Sequence, residues 1–165
     1  MRPAFSTLWA NYPRSDQAPR PRLFDSIGWS DLTNNAGYQN TCAIRVSIAL
    51  QKSGVPVTSS AGMKGLSGAM TNKAIEIRQA KLSEQLTRLW GAPELISSES
   101  EIGDRNGVIS FFEIPTYPLP GGGFGGHIDL IDGKSTWFFG WFNADSVCGS
   151  SCYWSAKRVG FWELR

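Results

Sequence analysis

The sequence predicts an α+β protein, with helices in the first half packed on an antiparallel sheet supplied by the second. In two segments before Trp90 the apolar residues recur at helical spacing, whereas beyond it they gather in short β-branched and aromatic runs. Helices first and strands afterwards is the order of an α+β chain and not of alternating βα units. At 165 residues the chain has the length of one domain, and its 41% hydrophobic residues against 18% charged suit a packed core. The expected organisation is therefore one domain over residues 1–165.

Residues 1–36 hold Pro3, Pro13, Pro19 and Pro21 with few periodic apolar positions, which predicts an extended lead-in wrapped on the core. Asn40 and Thr41 then offer cap side chains to a helix carrying Ala43, Ile44, Val46, Ile48, Ala49 and Leu50, closed by Gly54 and Pro56. Cys42 falls in the first turn of that helix. Residues 57–71, rich in Ser, Gly and Thr, read as a loop. A second, amphipathic helix is expected over 72–90 from Ile75, Leu82, Leu86 and Leu89, with Glu84 placed four before Arg88 for an ion pair. After Gly91 and Pro93, strands are expected over 108–114, 128–131, 137–142 and 159–164, and Asp132-Gly133 marks a hairpin between the second and third.

Composition excludes several functions. Sixteen Lys and Arg against 14 Asp and Glu leave a net charge of +2, with the cations scattered, so no nucleic-acid surface is expected. No stretch approaches the roughly 18 apolar residues of a membrane span. The N-terminus lacks the apolar core and small-residue cleavage site of a signal peptide, so no such leader is expected.

The chemistry concentrates on a few residues. In the first turn of a helix, the Cys42 thiolate would be favoured by unpaired N–H groups and the helix dipole. The alternative is a small buried hydrophobe. A cysteine nucleophile needs a base, and the only histidine is His127, which follows the glycine-rich 121–126 and opens a strand. Period two places His127, Asp129 and Ile131 on one face and Ile128 and Leu130 on the other, so the histidine can face a cleft while its neighbours anchor the core. Asp129, Asp132, Asn143 and Asp145 can supply the group that orients the imidazole. Asp145 is preferred because a return strand can bring it beside His127. Asp129 competes, although it is expected to point outward, and Asp132 suits a turn. Residues 121–126 satisfy G-x-G-x-x-G, but a strand follows instead of a helix, which argues against a dinucleotide site. No cofactor is expected. Cys42, Cys148, Cys152 and His127 have the count of a zinc site, yet a second close-spaced pair is missing. Cys148 and Cys152 can instead pair as a disulfide, leaving Cys42 free, or remain two thiols.

With these residues in place, the sequence resembles the type VI secretion amidase effectors of family 4, peptidoglycan amidases of the papain-like, NlpC/P60-related kind. The matching text is Gly37-Tyr38-Gln39-Asn40-Thr41-Cys42-Ala43-Ile44-Arg45 with Ser47 and Ala49-Leu50, then Gly126-His127-Ile128-Asp129-Leu130. It continues through Cys148, Cys152-Tyr153-Trp154 and the ending Val159-Gly160-Phe161-Trp162-Glu163-Leu164. The resemblance implies a cysteine hydrolase in which Cys42 attacks the amide between γ-D-glutamate and meso-diaminopimelate of the peptide stem, His127 acts as base and then acid, and Asp145 is the third residue. The interval around 137–142 is longer than the family's, so Asp129 stays a competitor. The resemblance also implies synthesis in the cytoplasm, delivery by the type VI apparatus to a target cell's periplasm, and a cognate immunity protein that plugs the active site. Two other readings share these residues: a non-catalytic wall-binding module built on the aromatics, and a cysteine acyltransferase on the same scaffold.

Overall fold

The structure is a computed structural model that describes residues 1–134 and 150–165. Helix α1 (Phe5–Ala10) and helix α2 (Arg20–Ile27) are followed by α3 (Cys42–Lys52), α4 (Gln79–Trp90), strands β1 (Glu94–Leu95), β2 (Asn106–Phe112) and β3 (His127–Asp132), the short α5 (Ser150–Tyr153) and β4 (Arg158–Leu164). The described strands form one antiparallel sheet in the order β1-β4-β2-β3. Among the described residues no helix is long and apolar enough to cross a membrane. The strand expected over 137–142 lies outside the described residues.

Helix α3 is the central element because residues 42–50 are all buried, as a helix apolar on nearly every side requires. One side meets β3, where Ile128 and Leu130 join Ala43, Val46 and Ala49 in the main core. Another side receives α1 through Phe5 and Leu8, with Tyr12 just beyond. Ile44 and Ile48 turn to a second cluster with Leu23, Phe24, Ile27 and Trp29 of the α2 region. Each such side chain stabilises the fold by roughly 1.5 to 3 kcal/mol.

Two expectations about the first half are corrected. The lead-in of residues 1–36 is not simply extended, because Phe5–Ala10 and Arg20–Ile27 are helical. Its prolines punctuate helices instead of preventing them: Pro21 occupies the first turn of α2, where a missing N–H costs nothing, and Gly28 at φ 78° ends it. The second helix begins at Gln79, not near residue 72. Glu76, fully buried, accepts the backbone N–H groups of Ile77 and Arg78 at 2.9 and 3.0 Å on one carboxylate oxygen, and that of Ser60 at 2.6 Å on the other. Those bonds hold residues 76–78 in a non-helical course against α3, where Ser47 Oγ donates to the Glu76 carbonyl at 3.0 Å. Within α4, Leu89 is 42% exposed and so outside the apolar stripe, and Glu84 pairs with Lys81 at 3.0 Å rather than with Arg88.

Arg45 fixes the lead-in to the core. Its guanidinium, buried in α3, donates to the carbonyls of Pro13 at 2.6 Å and Ala18 at 2.8 Å and to Thr41 Oγ1 at 2.8 Å. Charge-assisted bonds of this kind contribute about 1.5 to 3 kcal/mol each, and a methionine would leave both carbonyls unsatisfied. Arg45→Met is expected to lower Tm by about 6 to 12 °C, from a loss near 3 kcal/mol, and to raise proteolytic cleavage within residues 10–20 before the rest of the chain. Calorimetry and limited proteolysis with mass mapping check both parts; a Tm unchanged within 1 °C would sink the assignment.

Candidate active site

Two loops and two element starts build the site. Asn40 lies just before α3, and its side-chain oxygen accepts the Cys42 backbone N–H at 3.1 Å, which fixes where the helix begins. Thr41 makes no side-chain cap, so of the two expected capping residues only Asn40 serves the Cys42 N–H. Asn40 Nδ2 reaches the Gly126 carbonyl at 3.4 Å and so ties the cysteine loop to the start of β3. Gly126 is required there, because a Cβ would lie 2.2 Å from Gln79 Oε1 and 2.4 Å from the Phe111 carbonyl. Close backbone approach is thus what the glycine-rich segment supplies beside His127. Farther out, Gly121, Gly122 and Gly123 all have positive φ, and the Ile114 N–H donates to the Gly125 carbonyl at 2.8 Å to close the loop on the sheet.

The structure brings Cys42, His127 and Asp129 together. His127 is 2% exposed, hydrogen-bonded to Asp129 and close enough to Cys42 for that thiol to raise its pKa. Its Nε2 stands 3.2 Å from Asp129 Oδ2, and because a carboxylate only accepts, Nε2 carries the proton. Nδ1 is thereby left for the Cys42 sulfur. Asp129 had been expected to point outward; instead it turns along the sheet face to its neighbour. Residues i and i+2 of a strand stand roughly 6.7 Å apart on one face, a gap that an imidazole and a carboxylate close by leaning together. Asp145 and Cys148 lie outside the described residues. Cys152 belongs to α5, with Sγ 2.7 Å from Thr116 Oγ1. Among the described residues no three His, Cys, Asp or Glu side chains converge on a metal-sized site.

Two further residues complete the surroundings of His127. Tyr153 stacks its ring on the imidazole with centroids 4.5 Å apart and planes 24° apart. Tyr12 donates its buried hydroxyl to Asp129 Oδ1 at 2.6 Å, and the Leu130 N–H donates to the same oxygen at 2.8 Å. With Oδ1 engaged twice, Oδ2 is the oxygen turned to His127. Burial, the charge of Asp129 and the bond to it push the Tyr12 phenol well above its usual pKa, so it stays a donor. The sequence carried no local sign of Tyr12, which is 117 residues from its partner.

The electrostatics favour a protonated imidazole. Burial alone would lower the His127 pKa, but the bonds to Asp129 and Cys42, with their charges, outweigh it and push it up to about 10. A cleft of about 400 Å³ is lined by Cys42, by Arg78 and Gln79 where α4 begins, and by Tyr117, Leu119 and Phe124. Such an arrangement can present a sulfur nucleophile to a carbonyl held in the cleft and hold a proton beside it.

A cysteine at the head of a buried helix, set near a histidine that opens a sheet strand beside an open cleft, is the arrangement of an α+β protein, and an NlpC/P60-like fold is consistent with it. The family model for type VI secretion system (T6SS) amidase effector protein 4, Tae4, matches residues 38–162, and the chain belongs to that family. The crystal structure of the type VI effector Tae4 from Enterobacter cloacae is similar with a TM-score of 0.72 at 19% identity, over 100% of this chain and 98% of that one. The type VI effector–immunity complex Tae4–Tai4 from Salmonella Typhimurium gives 0.71 at 20% identity, covering 100% of both chains. At such identities the likeness speaks for the fold. No curated protein sequence matches the chain. Tyr12 precedes the segment matched by the family model.

Proposed function

We propose that the protein is a cysteine amidase that cuts peptidoglycan stem peptides between γ-D-glutamate and meso-diaminopimelate. The observation that carries this reading is a buried His127, oriented by Asp129 at 3.2 Å and raised in pKa by the neighbouring Cys42, beside an open cleft lined by Cys42. The Cys42 thiolate adds to the scissile carbonyl, the C–N bond breaks, and the His127 proton goes to the departing amine. A thioester to the glutamyl side remains. Water then attacks it while His127 takes a proton, the C–S bond breaks, and a free γ-carboxyl leaves with the thiolate restored. Since the Cys42 N–H is already bonded to Asn40 Oδ1, the donor turned to the developing oxyanion is Asn40 Nδ2, whose 3.4 Å bond to Gly126 is long enough to exchange.

Asp129 is the proposed third member, holding Nε2 as Tyr12 holds Asp129; Asp145 is the competitor from the sequence. Tyr12→Phe keeps the ring in the core and removes only the hydroxyl. It is expected to reduce kcat/KM about 10-fold at a stability loss of about 1 kcal/mol, measured by steady-state cleavage and chemical denaturation. Unaltered kcat/KM would remove Tyr12 from the positioning network.

The setting follows the family. The effector is delivered by type VI secretion into a neighbouring cell's periplasm, where Cys148 and Cys152 form a disulfide, and an immunity protein in the producing cell's own line covers the cleft. The test is to incubate the purified protein with diaminopimelate-type sacculi and identify the fragments by mass spectrometry. New termini at γ-D-glutamate support the reading. Binding without fragments would favour a wall-binding module, and transfer to an added amine in preference to water an acyltransferase.

A further inference from the structure

We infer that Arg78 forms a carboxylate-binding subsite in the cleft beside Cys42, and that its ligand is the free α-carboxylate of the γ-linked glutamate on the acyl side of the scissile amide. The inference rests on the amidase reading and adds what that reading lacks, a residue that selects the substrate. Among the described residues lining the cleft, Arg78 is the one with a charged side chain. The cleft is also lined by the uncharged Tyr117, Leu119 and Phe124. Apart from the Cys42 sulfur, the cleft lining offers one cation and no carboxylate, which suits a ligand that carries a negative charge.

Two features mark this arginine as available to a ligand. The carboxylate nearest in sequence, Glu76, is committed elsewhere: its oxygens accept from the backbone N–H groups of Ile77, Arg78 and Ser60 and from Ser60 Oγ. Ion pairs among the described residues engage other cations and leave the exposed Arg78 without a carboxylate. At the same time its backbone is held by the 3.0 Å bond to buried Glu76, so the guanidinium is launched from a fixed point. Substrate chemistry supplies the complement. A glutamate joined through its γ-carboxyl keeps its α-carboxylate free a few bonds from the carbonyl under attack. A guanidinium takes that group with two parallel N–H···O bonds, which orients the carbonyl as well as binding it.

Three synthetic stem tetrapeptides test this: one with the glutamate α-carboxylate and the distal diaminopimelate carboxylate both free, one with D-isoglutamine in place of D-isoglutamate, and one amidated on the distal carboxylate of diaminopimelate. For the wild-type protein the D-isoglutamine stem is expected to show a KM about 10- to 100-fold higher than the free acid, with kcat changed much less. Amidation of diaminopimelate is expected to leave KM within about 3-fold. Arg78→Gln is expected to raise KM for the free acid to the isoglutamine value and to erase the discrimination, with Arg78→Lys between them. The variants' Tm should match the wild type, since Arg78 is exposed. Binding of the same peptides to Cys42→Ala by calorimetry reads the preference without cleavage, so an absence of catalysis would count against the amidase reading and still test the subsite. Equal handling of the acid and isoglutamine stems, a preference that persists in Arg78→Gln, or a preference set by diaminopimelate alone would each overturn the inference.

Discussion

Cys42→Ala is expected to fold like the wild type and to release no stem fragments, a fall in kcat of at least about 10⁴-fold. Loss of the nucleophile removes the thioester path altogether, and in other hydrolases of this logic it costs as much as removal of the whole catalytic set. The fold should survive because, although Cys42 is itself buried in the core, the substitution removes only its sulfur and leaves the helix its contacts through Ala43, Val46, Ala49 and Leu50. A stability change within about 1 kcal/mol, read by denaturant titration, separates loss of chemistry from loss of structure. Cys42→Ser is expected to be nearly as inactive, since a serine hydroxyl is far less acidic than a thiol and a much weaker nucleophile in a site set up for sulfur. Cleavage by either variant at a tenth of the wild-type rate or more would sink the assignment of Cys42. A wild-type protein that binds sacculi without cutting them would instead move the protein among the wall-binding modules.

How much of this was legible in the sequence differs from residue to residue, for physical reasons. Cys42 and His127 were legible because their local settings are local in sequence: capping residues before an apolar helix and a glycine run before a strand. The α+β order was legible for the same reason. The start of α4 was not, because what ends the extended course of residues 76–78 is a buried carboxylate whose partners include Ser60 across the fold. Propensity cannot report a bond made by tertiary packing. The lead-in hid two helices because prolines at permitted first-turn positions look, in sequence, like prolines that break a helix. Asp129 was placed on the correct face of its strand, but pleat alone does not say which way a side chain leans. Tyr12 lay beyond reach entirely: its role exists only once Arg45 has drawn the chain around residues 13–18 onto α3.

Asp129→Asn carries the second large effect. The carboxylate fixes the proton on Nε2 and offsets the imidazolium charge, whereas an amide can offer its NH₂ to that nitrogen and favour the other tautomer. In a well-studied hydrolase triad the same replacement lowers kcat by about 10⁴-fold, and a loss of roughly 10² to 10⁴-fold in kcat/KM is expected here. The pH dependence adds a signature that misfolding would not copy. With the His127 pKa raised from its usual 6.5 to about 10, the wild-type alkaline limb of kcat/KM should fall near pH 10, where the proton for the leaving amine is lost. Replacing the Asp129 carboxylate takes away its hydrogen bond, the largest of the raising contributions, and its smaller charge contribution, so the limb should move toward neutral pH. Stability follows the same sign: the folded state holds a proton that the unfolded chain releases above about 6.5, so this contribution is full below that pH and disappears as pH rises through about 10. Wild-type Tm should accordingly fall across that window, and the fall should be smaller in Asp129→Asn. Should Asp129→Asn retain wild-type kcat/KM with an unmoved alkaline limb while Asp145→Asn loses both, the third place belongs to Asp145, and the 3.2 Å contact to Asp129 serves only to hold the strand's own side chains in order.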